Sequence, residues 1–185
     1  MLRHTVLAAA LALICSVAVL PSHAQAAGKI GVANPMRLSS QSDPGKEAEK
    51  QLTAMFGKER QQLEQQGADL NKQAEDLRKQ AAALSEKARN ERAQKIQKQA
   101  QELDTKGSAY TQRLSRVQQA INAQMNDVLR TACENYAKKN GYDMILDATV
   151  VMFHIQANDV TNGLIEEVNR VWKSKGGKFN LSAAK

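Results

Sequence analysis

The sequence predicts an α+β fold that is mostly α, a long antiparallel coiled-coil helical hairpin carried on a small β-containing base. Three observations carry this prediction. No proline interrupts residues 46–140, a stretch rich in Gln, Ala, Lys, Glu and Arg, all good helix formers. Its apolar residues recur seven apart in two separate series. Short runs of strand-forming residues flank the stretch on both sides.

At the N-terminus, Arg3 and His4 precede an apolar run from Val6 to Leu20, followed by Ala24-Gln25-Ala26. A basic start, an apolar middle and an A-x-A site read as a secretory signal peptide over residues 1–26. The run is shorter than the roughly 20 residues a membrane span needs. Cys15 does not suit lipidation, because Ile14 stands where a small residue is required. Removing this segment leaves 25 basic against 19 acidic residues, one cysteine (Cys133) and one histidine (His154). An exported chain with one cysteine has no internal disulfide, so packing or assembly must stabilise it. Cys133 reads as a small buried hydrophobe on a helix. His154, between Phe153 and Ile155, lacks the companions a metal site needs.

The base opens with a short strand in Lys29–Asn34, where Ile30 and Val32 alternate. Pro35 suits the first turn of a short helix through Met36 and Leu38. Ser39 to Gly45, with Asp43-Pro44-Gly45, reads as a break. The arm follows over 46–140. Phe56, Leu63, Leu70, Leu77 and Leu84 form one heptad series, and Ile96, Leu103, Tyr110 and Val117 the other. Folding the chain back near Lys87 sets Gly67 opposite Gly107, Ala74 opposite Ala100 and Ala81 opposite Ala93. The same fold-back brings Leu70 near Leu103, Leu77 near Ile96, Leu63 near Tyr110 and Phe56 near Val117. Small faces small and large faces large, which one continuous helix would have no reason to show. The reversal is expected within 82–88, with Ser85 as N-cap of the returning helix and Glu86 in its first turn. Arms of about 40 residues would be about 60 Å long. Gly67 and Gly107 would mark either close helix approach or flexing of the rod.

After the arm, Lys138-Lys139-Asn140-Gly141 is a helix stop. Tyr142–Asp147 and Val150–Ile155 read as two strands around a short turn. An amphipathic helix then carries Leu164, Ile165, Val168, Val171 and Trp172, with Trp172 as packing anchor. The base thus comprises 27–45 and 141–173, and 174–185 reads as a flexible basic tail. Such short strands are marginal alone. Ile30, Val32, Met144, Leu146, Val151 and Phe153 are the apolar residues of these strands.

Charge is concentrated at the reversal. Arg78, Lys79, Lys87, Arg89, Arg92, Lys95 and Lys98 face only Glu86 and Glu91 between positions 78 and 98. A one-sided cluster of this kind suits acidic clients or anionic lipid headgroups.

The opening Lys29-Ile30-Gly31-Val32, the Ser42-Asp43-Pro44-Gly45-Lys46 break, the charged hairpin, Gly141-Tyr142-Asp143-Met144-Ile145-Leu146-Asp147 and Asp159-Val160-Thr161 belong together. In this combination the chain resembles the Skp (OmpH-like) family of periplasmic outer-membrane-protein chaperones. The resemblance covers the chain up to Ser174. It implies a homotrimer with a central β-barrel, in which Ile30, Val32, Met144, Leu146, Val151 and Phe153 pair across copies of the chain, burying them and closing open edges. Three hairpins would project from it around a cavity. Unfolded outer-membrane proteins would be held there without nucleotide, and the basic tips would face the cavity mouth or a membrane surface bearing anionic lipid or lipopolysaccharide.

Catalysis has no support: there is no glycine-rich phosphate loop, no convergent acid–base set and no cofactor motif. An envelope coiled-coil adaptor recognising one folded partner is the alternative reading. A basic chain with pI near 9.5 could bind DNA incidentally, but export argues against a physiological nucleic-acid partner.

Overall fold

The computed structural model describes residues 28–184. The signal-peptide reading of residues 1–26, with Cys15, lies outside the described residues. The element order is β1 (Ile30–Ala33), α1 (Pro35–Gln41), α2 (Asp43–Gln80), α3 (Glu86–Asn140), β2 (Met144–Asp147) and α4 (Thr161–Ser174). Single 3-10 turns occupy Ala148–Val150 and Gln156–Asn158.

Each helix begins and ends where its chemistry directs. Asn34 Oδ1 accepts the Arg37 N–H at the start of α1, with Pro35 supplying the first helical φ. Ser42 Oγ accepts from Gly45 N–H and starts α2, so the expected break from 39 to 45 shrinks to Ser42 alone. Gly45 is needed for this tight join, since a Cβ there would sit 1.5 Å from the Ser39 carbonyl oxygen. Ser85 Oγ accepts from Ala88 N–H to start α3, with Glu86 in the first turn. Gly141, at φ 69° in the left-handed region, ends α3 after Lys138 and Lys139.

The two long helices run antiparallel. Arg113 pairs with Glu59, Lys106 Nζ donates to Gln66 Oε1 (3.4 Å) and Arg92 donates to Gln80 Oε1 (2.8 Å). In these three pairs each step up one helix is matched by an equal step down the other. Leu70 and Leu103 share one inter-helix groove, and Leu77 and Ile96 the next, as the mirrored pattern expects. The small residues behave differently. Ala74, Ala93 and Ala100 are exposed, and Gln99 is half-buried in place of Ala100. Tyr110 packs edge-on against Phe56, with ring centroids 5.8 Å apart.

The core lies at the other end of the arm. Val117, Ile121, Met125, Val128 and Ala132 of α3 meet Leu164, Val168, Val171 and Trp172 of α4, with Ala33, Leu38 and Phe56 closing the cluster. The α3 positions recur at spacings of three and four, one helical face.

Two expectations about this body are corrected. Val150–Ile155 forms no strand; β2 pairs with β1 instead, in parallel, with Val32 opposite Leu146. A parallel pair needs a long crossover, and here it is the entire arm. Val32 also bridges to Asp159 on β1's other side, which occupies that edge of β1, while among the described residues the outer edge of β2 stays unpaired. The segment 174–184 is not a loose basic extension either. Gly176 and Gly177, both at positive φ, turn the chain back, and Phe179, Leu181 and Ala184 join the core cluster. Its apolar residues outweigh its lysines, which stay outside.

Candidate functional site

Two regions of this architecture face outward with unspent chemistry: the outer surface of the base and the far end of the arm. Both depend on how the base is tied together. Asp159 Oδ1 accepts the Thr161 N–H (2.8 Å), while the buried Thr161 hydroxyl accepts the Asn34 N–H (3.0 Å). Hydrogen bonds from the Thr161 hydroxyl and N–H, helped by Arg37, hold the Asp159 carboxyl below its usual pKa. Val160 N–H donates to Val32 O at 2.9 Å. Asp159-Val160-Thr161 is therefore a joint that fixes the start of α4 to β1 and α1.

The Gly141–Asp147 segment works in the same way. Tyr142 stacks on Tyr136 (5.9 Å between centroids) and carries Lys29 Nζ over its face at 4.1 Å. Asp143 accepts the Lys29 N–H at 2.8 Å. Asp147 accepts both the N–H and hydroxyl of Thr149, which lowers its carboxyl pKa.

The strand residues expected to assemble fall into two groups. Val32 is 3% exposed and belongs to the chain's own core. Ile30, Met144 and Leu146 are between 36% and 47% exposed, and Phe153 is 82% exposed. Val151 is half-buried. The sequence reading missed Met152, fully exposed, and Ile155 and Val150, also exposed. Their signal was present, as members of the apolar run taken for a strand. Apart from Ile30 on β1, these exposed apolar residues lie on β2 and in the stretch that directly follows it. So many large apolar side chains exposed in one short stretch of chain mark an interaction site.

At the arm's far end, α2 stops at Gln80 and α3 restarts at Glu86. Arg78, Lys79, Lys87, Arg89, Arg92, Lys95 and Lys98 are all exposed there. Arg78 and Lys79 stand in the last turn of α2, where the helix dipole favours cations. Lys79 pairs with Glu75 at 2.7 Å; among the described residues the other six make no ion pair. Arg92 spends one N–H on Gln80, bracing the two helices across the turn.

Along the rod, a Cβ on Gly67 would lie 3.8 Å from Leu103, ordinary contact, whereas Gly107 has nothing within 4 Å. Close helix approach therefore does not account for Gly107. Near it the Thr105 and Thr111 hydroxyls donate back to the carbonyls of Gln101 and Gly107, a pattern that bends helices.

His154 Nδ1 lies 3.1 Å from the neighbouring Ile155 carbonyl oxygen, and no cluster of metal-ligand residues occurs among the described residues. Burial pushes the Cys133 thiol up in pKa, as for an unreactive packed cysteine. No helix among the described residues is long and apolar enough to cross a membrane.

Comparison with known proteins agrees with this architecture. The family profile described as "Outer membrane protein (OmpH-like)" matches residues 29–168. The chain is 25% identical over 142 residues to the chaperone protein Skp of Yersinia enterocolitica, covering 77% of this chain and 87% of that protein. It is also 25% identical to the Skp chaperone of Pectobacterium atrosepticum over 144 residues, 78% and 87% of the two chains. In structure it is similar to an OmpH-like protein of Caulobacter crescentus, described as a candidate outer membrane chaperone. The TM-score is 0.55, with 17% identity and coverage of 77% and 85%. With the family profile spanning most of its length, the chain belongs to the OmpH-like outer membrane protein family, a family of non-enzymatic chaperones.

Proposed function

We propose that this chain is an ATP-independent periplasmic holdase that binds unfolded outer-membrane proteins between helical arms and delivers them toward outer-membrane assembly. The observation that carries this reading is a two-helix arm with no core of its own, rooted in a packed base and ending in six unpaired cations. Such an arm offers many weak contacts and no chemistry. Several arms acting together would hold a client by avidity while leaving each contact easy to break. Binding the unfolded state in this way suppresses aggregation by mass action.

Assembly is part of the proposal. The exposed Ile30, Met144, Leu146, Met152, Phe153 and Ile155, with the unpaired edge of β2, suit pairing with further copies into a closed homotrimeric barrel. Three arms would then surround one cavity. Arg78, Lys79, Lys87, Arg89, Arg92, Lys95 and Lys98 would lie at its mouth, available to acidic client segments or to anionic lipid and lipopolysaccharide. Cleavage of residues 1–26 would deliver the chain to the periplasm.

Aggregation suppression tests the reading directly. A denatured outer-membrane protein is diluted into increasing amounts of the mature chain without ATP, and light scattering is followed. Suppression of several unrelated clients at stoichiometric oligomer is expected. Failure with all of them, alongside tight binding of one folded envelope protein, would favour the adaptor role.

A further inference from the structure

The segment that follows α4 lies beyond the matched family region and is seated in its groove like a bound peptide. Phe179 and Leu181 are buried while Asn180 between them is exposed, the alternation of an extended chain. The side chain of Gln124 holds both backbone groups of Asn180. Gln124 Oε1 accepts its N–H at 2.9 Å, and Gln124 Nε2 donates to its carbonyl at 2.9 Å. Phe179 packs on Trp172 with ring centroids 4.6 Å apart. An open cavity beside this point is lined by Ala123, Gln124, Asp127, Val128 and Trp172, together with Lys175 and Lys178 of the segment itself. Lys175 pairs with Asp127 and pins the start of the segment.

This recognition has a specific chemical character. A side-chain amide bonding to both the N–H and the C=O of one residue reads backbone, and any extended residue except proline can satisfy it. On either side of it Phe179 packs on Trp172 and Leu181 joins the core cluster, an aromatic and an aliphatic side chain at alternate positions. The exposed Asn180 side chain serves its own segment, accepting from Ser182 N–H and hydroxyl. Nothing in the clamp depends on the tail's identity beyond that alternation. Unfolded β-strand segments, apolar at every second residue, carry the same pattern.

We infer that the α3–α4 groove at Gln124 is a binding site for extended, alternately apolar polypeptide, held closed by the chain's own residues 177–184 until a client segment displaces them. The inference rests on the chaperone reading for the identity of the occupant, though the groove can be tested without it. A tethered tail competes at an effective concentration on the order of millimolar, so only a client held elsewhere on the arms would displace it. The tail would thus discriminate against short free peptides and favour clients already captured.

The test uses the full mature chain with Phe179→Ser and Leu181→Ser, which should release the tail without deleting it. The probe is a fluorescein-labelled peptide with the sequence of residues 177–184. The variant should bind it by fluorescence anisotropy, and the unaltered chain at least tenfold more weakly. Adding Gln124→Ala to the variant should cut binding at least tenfold, because the backbone clamp is gone. A variant that keeps its helical circular dichroism yet binds no peptide would overturn the inference. If the double variant does not fold, the unaltered chain with Gln124→Ala alone should show faster hydrogen exchange at Asn180 N–H; unchanged exchange would also overturn it. A second arm measures affinity for a denatured outer-membrane protein, expected to rise severalfold in the tail variant. Peptide binding with unchanged client affinity would show a clasp that clients do not displace, and would sink the regulatory claim. A chain that holds no client at all, yet passes the peptide arm, would locate the failure in the chaperone reading instead.

Discussion

Thr161 shows how much one side chain can join. It is fully buried, its hydroxyl accepts the Asn34 N–H, and Asp159 bonds to both its polar groups. Thr161→Val keeps the shape but orphans the Asn34 donor, and should cost about 1–3 kcal/mol in denaturant unfolding. The acid limb of stability depends on the same contacts. Thr161 holds the Asp159 carboxyl low, and Arg170 does the same for Glu167. A carboxylate with a depressed folded pKa contributes stability above its unfolded value, near 4, and loses it as pH falls through the folded value. Denaturant midpoints should therefore be level from pH 7 to about 5 and decline below about 4. Thr161→Val should flatten that decline, since it removes the largest cause of the Asp159 shift. The motif residues were legible in the sequence, but their role as joints was not. It requires β1, α1 and α4, far apart in the chain, to meet.

At the scale of elements, the helical seam was the most readable feature. Heptads located the arms, and Ser85 with Glu86 located the return, because capping is local chemistry. The mirrored alanines misled in part: helix rotation about its axis decides which flank is covered, and Gln99 took the place expected of Ala100. Gly107, with no neighbour at its missing Cβ, should tolerate Ala and gain up to about 1 kcal/mol from helix propensity. Gly67→Ala should gain at least as much, because its Cβ would meet Leu103 at 3.8 Å, ordinary van der Waals contact. Unfolding midpoints measure the gain, and spin labels beside position 107 should report a stiffer arm. At the tip, Arg89→Glu with Arg92→Glu should cost no more than about 1.5 kcal/mol in unfolding, the worth of the exposed Arg92–Gln80 hydrogen bond it removes. Binding to anionic vesicles should fall at least tenfold at low salt and lose most of its salt dependence. Retained binding with the original salt slope would place the contact elsewhere.

For the whole molecule, the question is what covers the exposed Met144, Leu146, Met152 and Phe153. Met152→Ser with Phe153→Ser touches residues that are 104% and 82% exposed, so the isolated chain should lose little stability. If these residues join copies, sedimentation should show the variant shifting from trimer to monomer. An unchanged mass would remove Met152 and Phe153 from the interface. The misread strand at Val150–Ile155 belongs to this scale. Its residues have strand chemistry, yet among the described residues of one chain they pair with no strand.

By itself the sequence determined the arm, its reversal, the basic tip and the amphipathic α4, because helical periodicity and caps are written within a few residues of where they act. Only the tertiary structure decided the parallel β1–β2 pairing, the burial of Val32 inside the chain's own core, and the docking of Phe179 and Leu181. Each of these depends on segments more than a hundred or several tens of residues apart finding one another, a choice made by competing burial rather than by local pattern.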